Sequence, residues 1–178
     1  PWAFDADQTK RITALGASMV TEITGGCACG AVRYKCSEKP IAELICHCRD
    51  CQRASGSATS AVMLVASDRL TFEGAEQKFH TVTTASGNRL SRGFCSTCGS
   101  PVSARWEGNP MYSKLQAITA GSLDDPSVFS PTFEDWVSRA YPWHAFLPDT
   151  PKFEEKPTPD AFRDRVEAYF SARQSTSA

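Results

Sequence analysis

Cys46-His47-Cys48-Arg49-Asp50-Cys51 places three thiols within six residues, a density that ordinary core packing does not require. Two further thiol turns flank it, Cys27-Ala28-Cys29 before and Cys95-Ser96-Thr97-Cys98 after, so distant segments of the chain converge on sulfur. A disulfide framework is the device of small secreted chains that lack a core. This chain of 178 residues is long enough to bury one, and its opening residues show no signal-peptide pattern. Cys-x-Cys and Cys-x-x-Cys turns instead let two thiolates reach one tetrahedral ion, so metal binding is the expected use.

Zinc is the preferred ion, because it accepts thiolate-rich tetrahedral sites and does no redox chemistry with them; an iron–sulfur cluster is the second choice. Seven of the eight cysteines lie in these turns, and seven divides into four and three. Cys27 and Cys29 with Cys95 and Cys98 would form a closed structural site. Cys46, Cys48 and Cys51 would form a local three-thiolate site that keeps one coordination position for water or substrate. The expectation is thus two zinc ions, with the chemistry at the second. A rival division completes the triplet with Cys36, giving two closed sites. Cys36 shares a face with Val32 and Tyr34 in the alternating run Ala31 to Cys36, which reads as a buried inert thiol.

The formal net charge of -1 gives no global attraction to nucleic acid or to an anionic membrane, so neither is expected as a partner. No apolar run approaches the ~20 residues that span a bilayer, and a cytoplasmic location is expected. Met19-Val-Thr-Glu-Ile resembles a translation start, so residues 1–18 read as a leader or N-terminal extension. Residues 19–156 read as one zinc-binding β domain, and 157–178 as a C-terminal helix and tail.

From Thr21 onward the pattern is of short strands bounded by turn residues, which makes the fold mainly β. Strands are expected over Ala31 to Cys36, Ala42 to Ile45, Ala58 to Val65, Leu70 to Phe72 and Lys78 to Thr83. Further strands are expected over Leu90 to Phe94, Pro101 to Trp106, Leu115 to Ala120 and Thr132 to Ser138. A proline-rich stretch follows, unsuited to a sheet interior. Thr158 as cap and Pro159 at the first position start the one convincing helix, to about Arg173. Its apolar face is Phe162, Val166, Tyr169 and Phe170, suited to covering a sheet.

Around the triplet, Arg49 and Arg53 either offset the charge of a three-thiolate ion or are solvated surface cations. An extended backbone points His47 away from the ion its neighbours hold, toward a hydrogen bond to backbone or substrate. Ser55-Gly56-Ser57 allows close backbone approach to a ligand or is a plain turn. His80 and His144 stand alone in the sequence and read as structural.

These segments resemble the glutathione-dependent formaldehyde-activating enzyme family, also called the centromere protein V family. The resemblance runs from Gly26 to Phe153. Gly26-Cys-Ala-Cys-Gly-Ala-Val-Arg-Tyr34, Cys46-His-Cys-Arg-Asp-Cys-Gln-Arg-Ala-Ser-Gly56, Gly93-Phe-Cys-Ser-Thr-Cys-Gly99 and Gly121-Ser-Leu-Asp-Asp-Pro126 carry it. It implies small stacked antiparallel β-sheets held by zinc, a β-tent, with a structural zinc on the first and third thiol groups and a catalytic zinc on the middle triplet. The chain departs from the family pattern at Phe133-Glu134-Asp135-Trp136, where many members carry a histidine, an apolar residue and an aromatic; only Trp136 matches.

The resemblance implies a carbon–sulfur lyase, or the reverse addition, acting on a glutathione-type thiol adduct such as S-hydroxymethylglutathione, with glutathione as co-substrate. Arg53 and one of Arg92 or Arg105 would hold glutathione carboxylates. Ser55 and Gly56 would approach the ligand, and Trp136, Trp106 or Trp143 would either wall the pocket or pack in the core. The alternatives are a non-catalytic zinc-stabilised binding module, and an isomerase or hydrolase using the same open zinc.

Overall fold

The computed structural model describes residues 22–85, 87–157 and 159–175. The leader reading of 1–18, the Met19 start and the Thr158 cap fall outside the described residues. The strands are β1 Ile23–Gly26, β2 Val32–Cys36, β3 Ala42–Cys46, β4 Ser60–Ala66, β5 Leu70–Gly74, β6 Gln77–Thr83, β7 Arg89–Cys95, β8 Pro101–Glu107, β9 Leu115–Thr119, β10 Phe133–Asp135 and β11 Lys152–Phe153. The helices are α1 Arg49–Ser55 and α2 Pro159–Ser175. The strands form a three-stranded sheet in the order β1-β2-β5 and an eight-stranded sheet in the order β11-β10-β3-β4-β9-β8-β7-β6.

The expectation of a mainly β fold with a C-terminal helix holds. In β2, Val32, Tyr34 and Cys36 are buried while Arg33 and Lys35 face outward, the two-residue alternation of a half-buried strand. Their inner face meets Met63, Val65, Val102 and Ile118 of the larger sheet, and this layer between the sheets is the main core. Strand β4, Ser60-Ala-Val-Met-Leu-Val-Ala66, is apolar on both faces, as expected of a strand covered on both sides. Its alternate residue Leu64 points to a second cluster with Leu44, Ala117 and Phe133.

α2 lies over this second face. Val166 packs on Ile41, Ala66 and Leu115, with Phe162, Tyr169 and Phe170 alongside, the face its periodicity predicts. Arg165 Nε donates to the Ile41 carbonyl at 2.7 Å, and Arg173 forms two hydrogen bonds to Asp68 at 2.8 and 3.1 Å.

The structure corrects the sequence reading in three places. α2 has company: Arg49–Ser55 is a seven-residue helix ended by Gly56 at φ 65°, too short to show an amphipathic period. The larger sheet is mixed, because β10 runs parallel to both β3 and β11. The proline-rich stretch thereby supplies an edge strand, where the missing N–H of Pro151 is tolerated. Finally, β10 stops at Asp135 rather than Ser138, since Trp136 adopts the left-handed conformation at φ 56°.

Candidate metal centres and cavity

The first and third thiol turns meet. Cys27 follows β1 of the small sheet and Cys95 closes β7 of the large one, so this cluster joins the two sheets. In each turn a backbone N–H donates to the first thiol: Val32 N to Cys27 Sγ at 3.2 Å and Thr97 N to Cys95 Sγ at 3.4 Å. Gly30 and Gly99, at φ 75° and 74°, reverse the chain where a Cβ would be strained. Cys29 Sγ lies 3.5 Å from Cys27 Sγ and 3.7 Å from Cys95 Sγ. These separations approach the edge of about 3.8 Å that a tetrahedron with Zn–S of about 2.3 Å requires. Cys98 completes four sulfurs, all within 4.8 Å of one another, and its thiol is drawn down to about 5 by hydrogen bonds from Ser100. The donor set suits a closed zinc site.

The middle triplet is held by β3 and α1. Cys46 is the last residue of β3, Cys48 caps α1 by accepting from Cys51 N at 3.4 Å, and Cys51 lies in the helix. Their sulfurs also lie within 4.8 Å of one another. Hydrogen bonds from Cys46 and Cys51 favour the thiolate at Cys48, while the same contacts and burial push the Cys46 thiol up. Buried Gln52 braces the loop, donating to the carbonyls of His47 at 2.8 Å and Arg139 at 3.1 Å. Cys36 is elsewhere: fully buried between the sheets, it donates to the Glu38 carbonyl at 3.4 Å.

Behind the triplet, His47 points away from the thiols into a buried cluster. Its Nε2 lies 2.8 Å from Glu134 Oε2, and Leu147 N donates to Glu134 Oε1 at 2.8 Å. His144 Nε2 approaches the same carboxylate at 3.4 Å, and the two imidazoles meet edge to face at 4.5 Å. Glu134 and His47 have no exposed surface, and His47 Nδ1 is without a partner. His144 is therefore not a lone histidine. It meets His47 of a segment nearly a hundred residues earlier and Glu134 of β10, so no local pattern could have announced the cluster.

A cavity of about 470 Å³ opens beside the triplet, and both Cys46 and Cys51 line it. Among the residues expected from sequence, Ser55, Arg92, Trp106 and Trp136 also line it, whereas Arg53, Gly56, Arg105 and Trp143 do not. Arg53 is exposed on α1. Arg105 lies over the Phe79 ring at 4.1 Å, and Trp143 is exposed and stacked on Tyr141. Asp135, a residue the sequence reading gave no role, lines the cavity with Oδ1 buried and unpartnered; burial lifts its carboxyl to about 7.

Residues 22–139 match the family model described as glutathione-dependent formaldehyde-activating enzyme. The chain belongs to this family. No curated protein matches it. The crystal structure of a Rhodobacter sphaeroides protein is similar over 57% of this chain and 87% of its own, at 17% identity and a TM-score of 0.44. Where the sequence was expected to depart from the pattern of the glutathione-dependent formaldehyde-activating enzyme family, the chain places Glu134 on β10. That carboxylate faces His47 rather than the cavity, and its neighbour Asp135 takes the cavity wall. No helix among the described residues is long and apolar enough to cross a membrane.

Proposed function

We propose that this protein is a cytoplasmic zinc-dependent carbon–sulfur lyase, or catalyses the reverse addition, on a glutathione-type thiol adduct such as S-hydroxymethylglutathione. The observation that carries the reading is the middle thiol group: three sulfur donors, one short of a tetrahedron, on the wall of a cavity. The four-thiol group would hold a second, structural zinc. Zinc bound at the triplet would supply Lewis acidity, which lowers the pKa of a thiol and stabilises the same sulfur as a leaving group.

The chain's own residues then orient and neutralise. The Arg92 guanidinium lines the cavity and acts electrostatically on Cys51, so it can receive a glutathione carboxylate without leaving the site. Asp135 Oδ1 offers an acceptor to the hydroxyl of the adduct. Ser55 and Trp136 shape the mouth, and the Gln52 and His47 hydrogen bonds hold the thiol loop in place. In cleavage the C–S bond breaks, its electrons stay on sulfur, and the hydroxyl passes its proton to water as the carbonyl forms.

Metal analysis with glutathione titration tests this reading. Two zinc ions per chain are expected, one of which responds to added thiol. Cys48→Ala should lose that ion and the cleavage of S-hydroxymethylglutathione while keeping its folded circular dichroism. Two equally inert ions, unresponsive to glutathione, would overturn the enzyme reading and favour a zinc-stabilised binding module.

A further inference from the structure

The second face of the large sheet is apolar beneath the cavity: Leu44, Leu64 and Ala117 are nearly buried and Val62 is half-buried, and all four line the cavity. Its register orders the floor. Cys46 pairs with Ser60, Leu44 with Val62 and Ala42 with Leu64; Leu64 pairs onward with Ala117, and Ala117 with Ala104. Stepping along β4 away from the thiols therefore replaces Ser60 by Val62 and then Leu64. At the far end Trp106, Tyr112 and Phe162 form a stack with centroid spacings of 5.7 and 5.8 Å. All of these except Ala42 line the cavity. The site thus has thiols and Asp135 at one end and aliphatic and aromatic carbon along its floor, with Arg92 on the strand beyond Ala104.

We propose, resting on the function proposed above, that the site prefers a bulky apolar aldehyde over formaldehyde as the electrophilic half of the substrate. A cavity of about 470 Å³ falls within the range of roughly 300–1,000 Å³ that encloses drug-sized ligands. Formaldehyde would leave most of this apolar-walled volume to water. An alkyl or aryl tail of about six carbons would instead occupy it, in the size range such pockets accept. The tail runs along Val62 and Leu64 toward the aromatic stack while sulfur stays at the triplet. The chemistry is unchanged and balanced. The thiolate sulfur bonds to the carbonyl carbon, the C=O π pair moves to oxygen, and that oxygen takes a proton from water; cleavage reverses each transfer.

Calorimetry of the zinc-loaded protein with S-methylglutathione and S-hexylglutathione separates this proposal from the reading beneath it, alongside cobalt-substituted protein titrated with glutathione. Affinity should rise about 4-fold per added methylene until the aromatic stack is reached. Hexanal should correspondingly surpass formaldehyde in kcat/KM above the spontaneous reaction. Val62→Phe, which fills the half-buried floor, should lower the hexyl-to-methyl affinity ratio at least about tenfold, the loss of roughly two methylenes; Leu64→Trp repeats the test at a second position. A cobalt spectrum that responds to glutathione, with equal hexyl and methyl affinities, overturns the apolar-substrate proposal and leaves the lyase reading standing. A cobalt spectrum indifferent to glutathione overturns both. A wild-type dimer that Val62→Phe converts to monomer overturns the proposal by assigning the floor to a second copy of the chain.

Discussion

Removing the Glu134 carboxylate should loosen the middle thiol site without touching a thiol. Glu134 is fully buried and both oxygens are engaged, Oε1 by Leu147 N and Oε2 by His47 Nε2, each at 2.8 Å. Glu134→Ala leaves the Leu147 N–H and the His47 ring without their acceptor in a site that excludes water. Each orphaned buried group costs about 1–3 kcal/mol, so the pair amounts to about 2–6 kcal/mol. Set against a typical total of about 5–15 kcal/mol, the variant should show a clearly lowered denaturant midpoint at unchanged slope.

Glu134→Gln should cost less than half as much. Its amide oxygen keeps the Leu147 bond, and His47 can carry its proton on the unpartnered Nδ1 and accept from the amide nitrogen. The metal readout is more specific. His47 sits between Cys46 and Cys48, so a displaced ring moves two donors together, and one of the two ions should pass to a competing chelator about tenfold faster, the lower end of effects from residues that brace metal ligands. An alanine variant within about 0.5 kcal/mol of wild type, the range of surface substitutions, with unchanged release of both ions would refute the reasoning.

Two further outcomes test the frame around the site. A Cβ at Gly25 would collide with the Tyr34 hydroxyl and the Ser122 carbonyl, on backbone that bridges Leu123, so Gly25→Ala should cost about 1–3 kcal/mol, read as a lowered Tm. Hydrogen bonds from Arg33 and Thr24 hold the Asp124 carboxyl below its ordinary value. The stability this contributes is present above the unfolded carboxyl pKa of about 3.9 and is lost as pH falls through the lower folded value. The gap between wild type and Asp124→Asn should therefore be within about 1 kcal/mol at neutral pH, as for other exposed pairs, and should narrow as pH falls below the unfolded carboxyl pKa in denaturant titrations.

What was legible in the sequence was what depends on local spacing. The thiol turns, the Val32/Tyr34/Cys36 face and the Phe162/Val166 stripe each repeat at the period of the element that carries them. Even the direction of His47 followed from its place between two ligands on extended backbone. What was illegible depends on segments brought together only by the fold. Glu134, His144 and Phe146 meet His47 where β10 aligns beside β3, a parallel pairing that no hairpin signal marks. The cavity could not be read because β4, apolar on both faces, looks the same whether its second face meets another sheet or open space. Arg53 shows the converse: its neighbours suggested a ligand contact, and the turn of α1 carries it to solvent.

The sulfur cluster between the sheets has a consequence of a different kind. Cys29 and Cys95 are 66 residues apart, and fastening that loop removes chain freedom from the unfolded ensemble as a covalent bridge would, by about 4 kcal/mol on the entropic model. Were zinc the fastener, the clasp would respond to metal supply and not to thiol–disulfide balance. Reductants would leave it closed and chelators would open it, so the lifetime of the folded chain would become a readout of how much metal its surroundings hold.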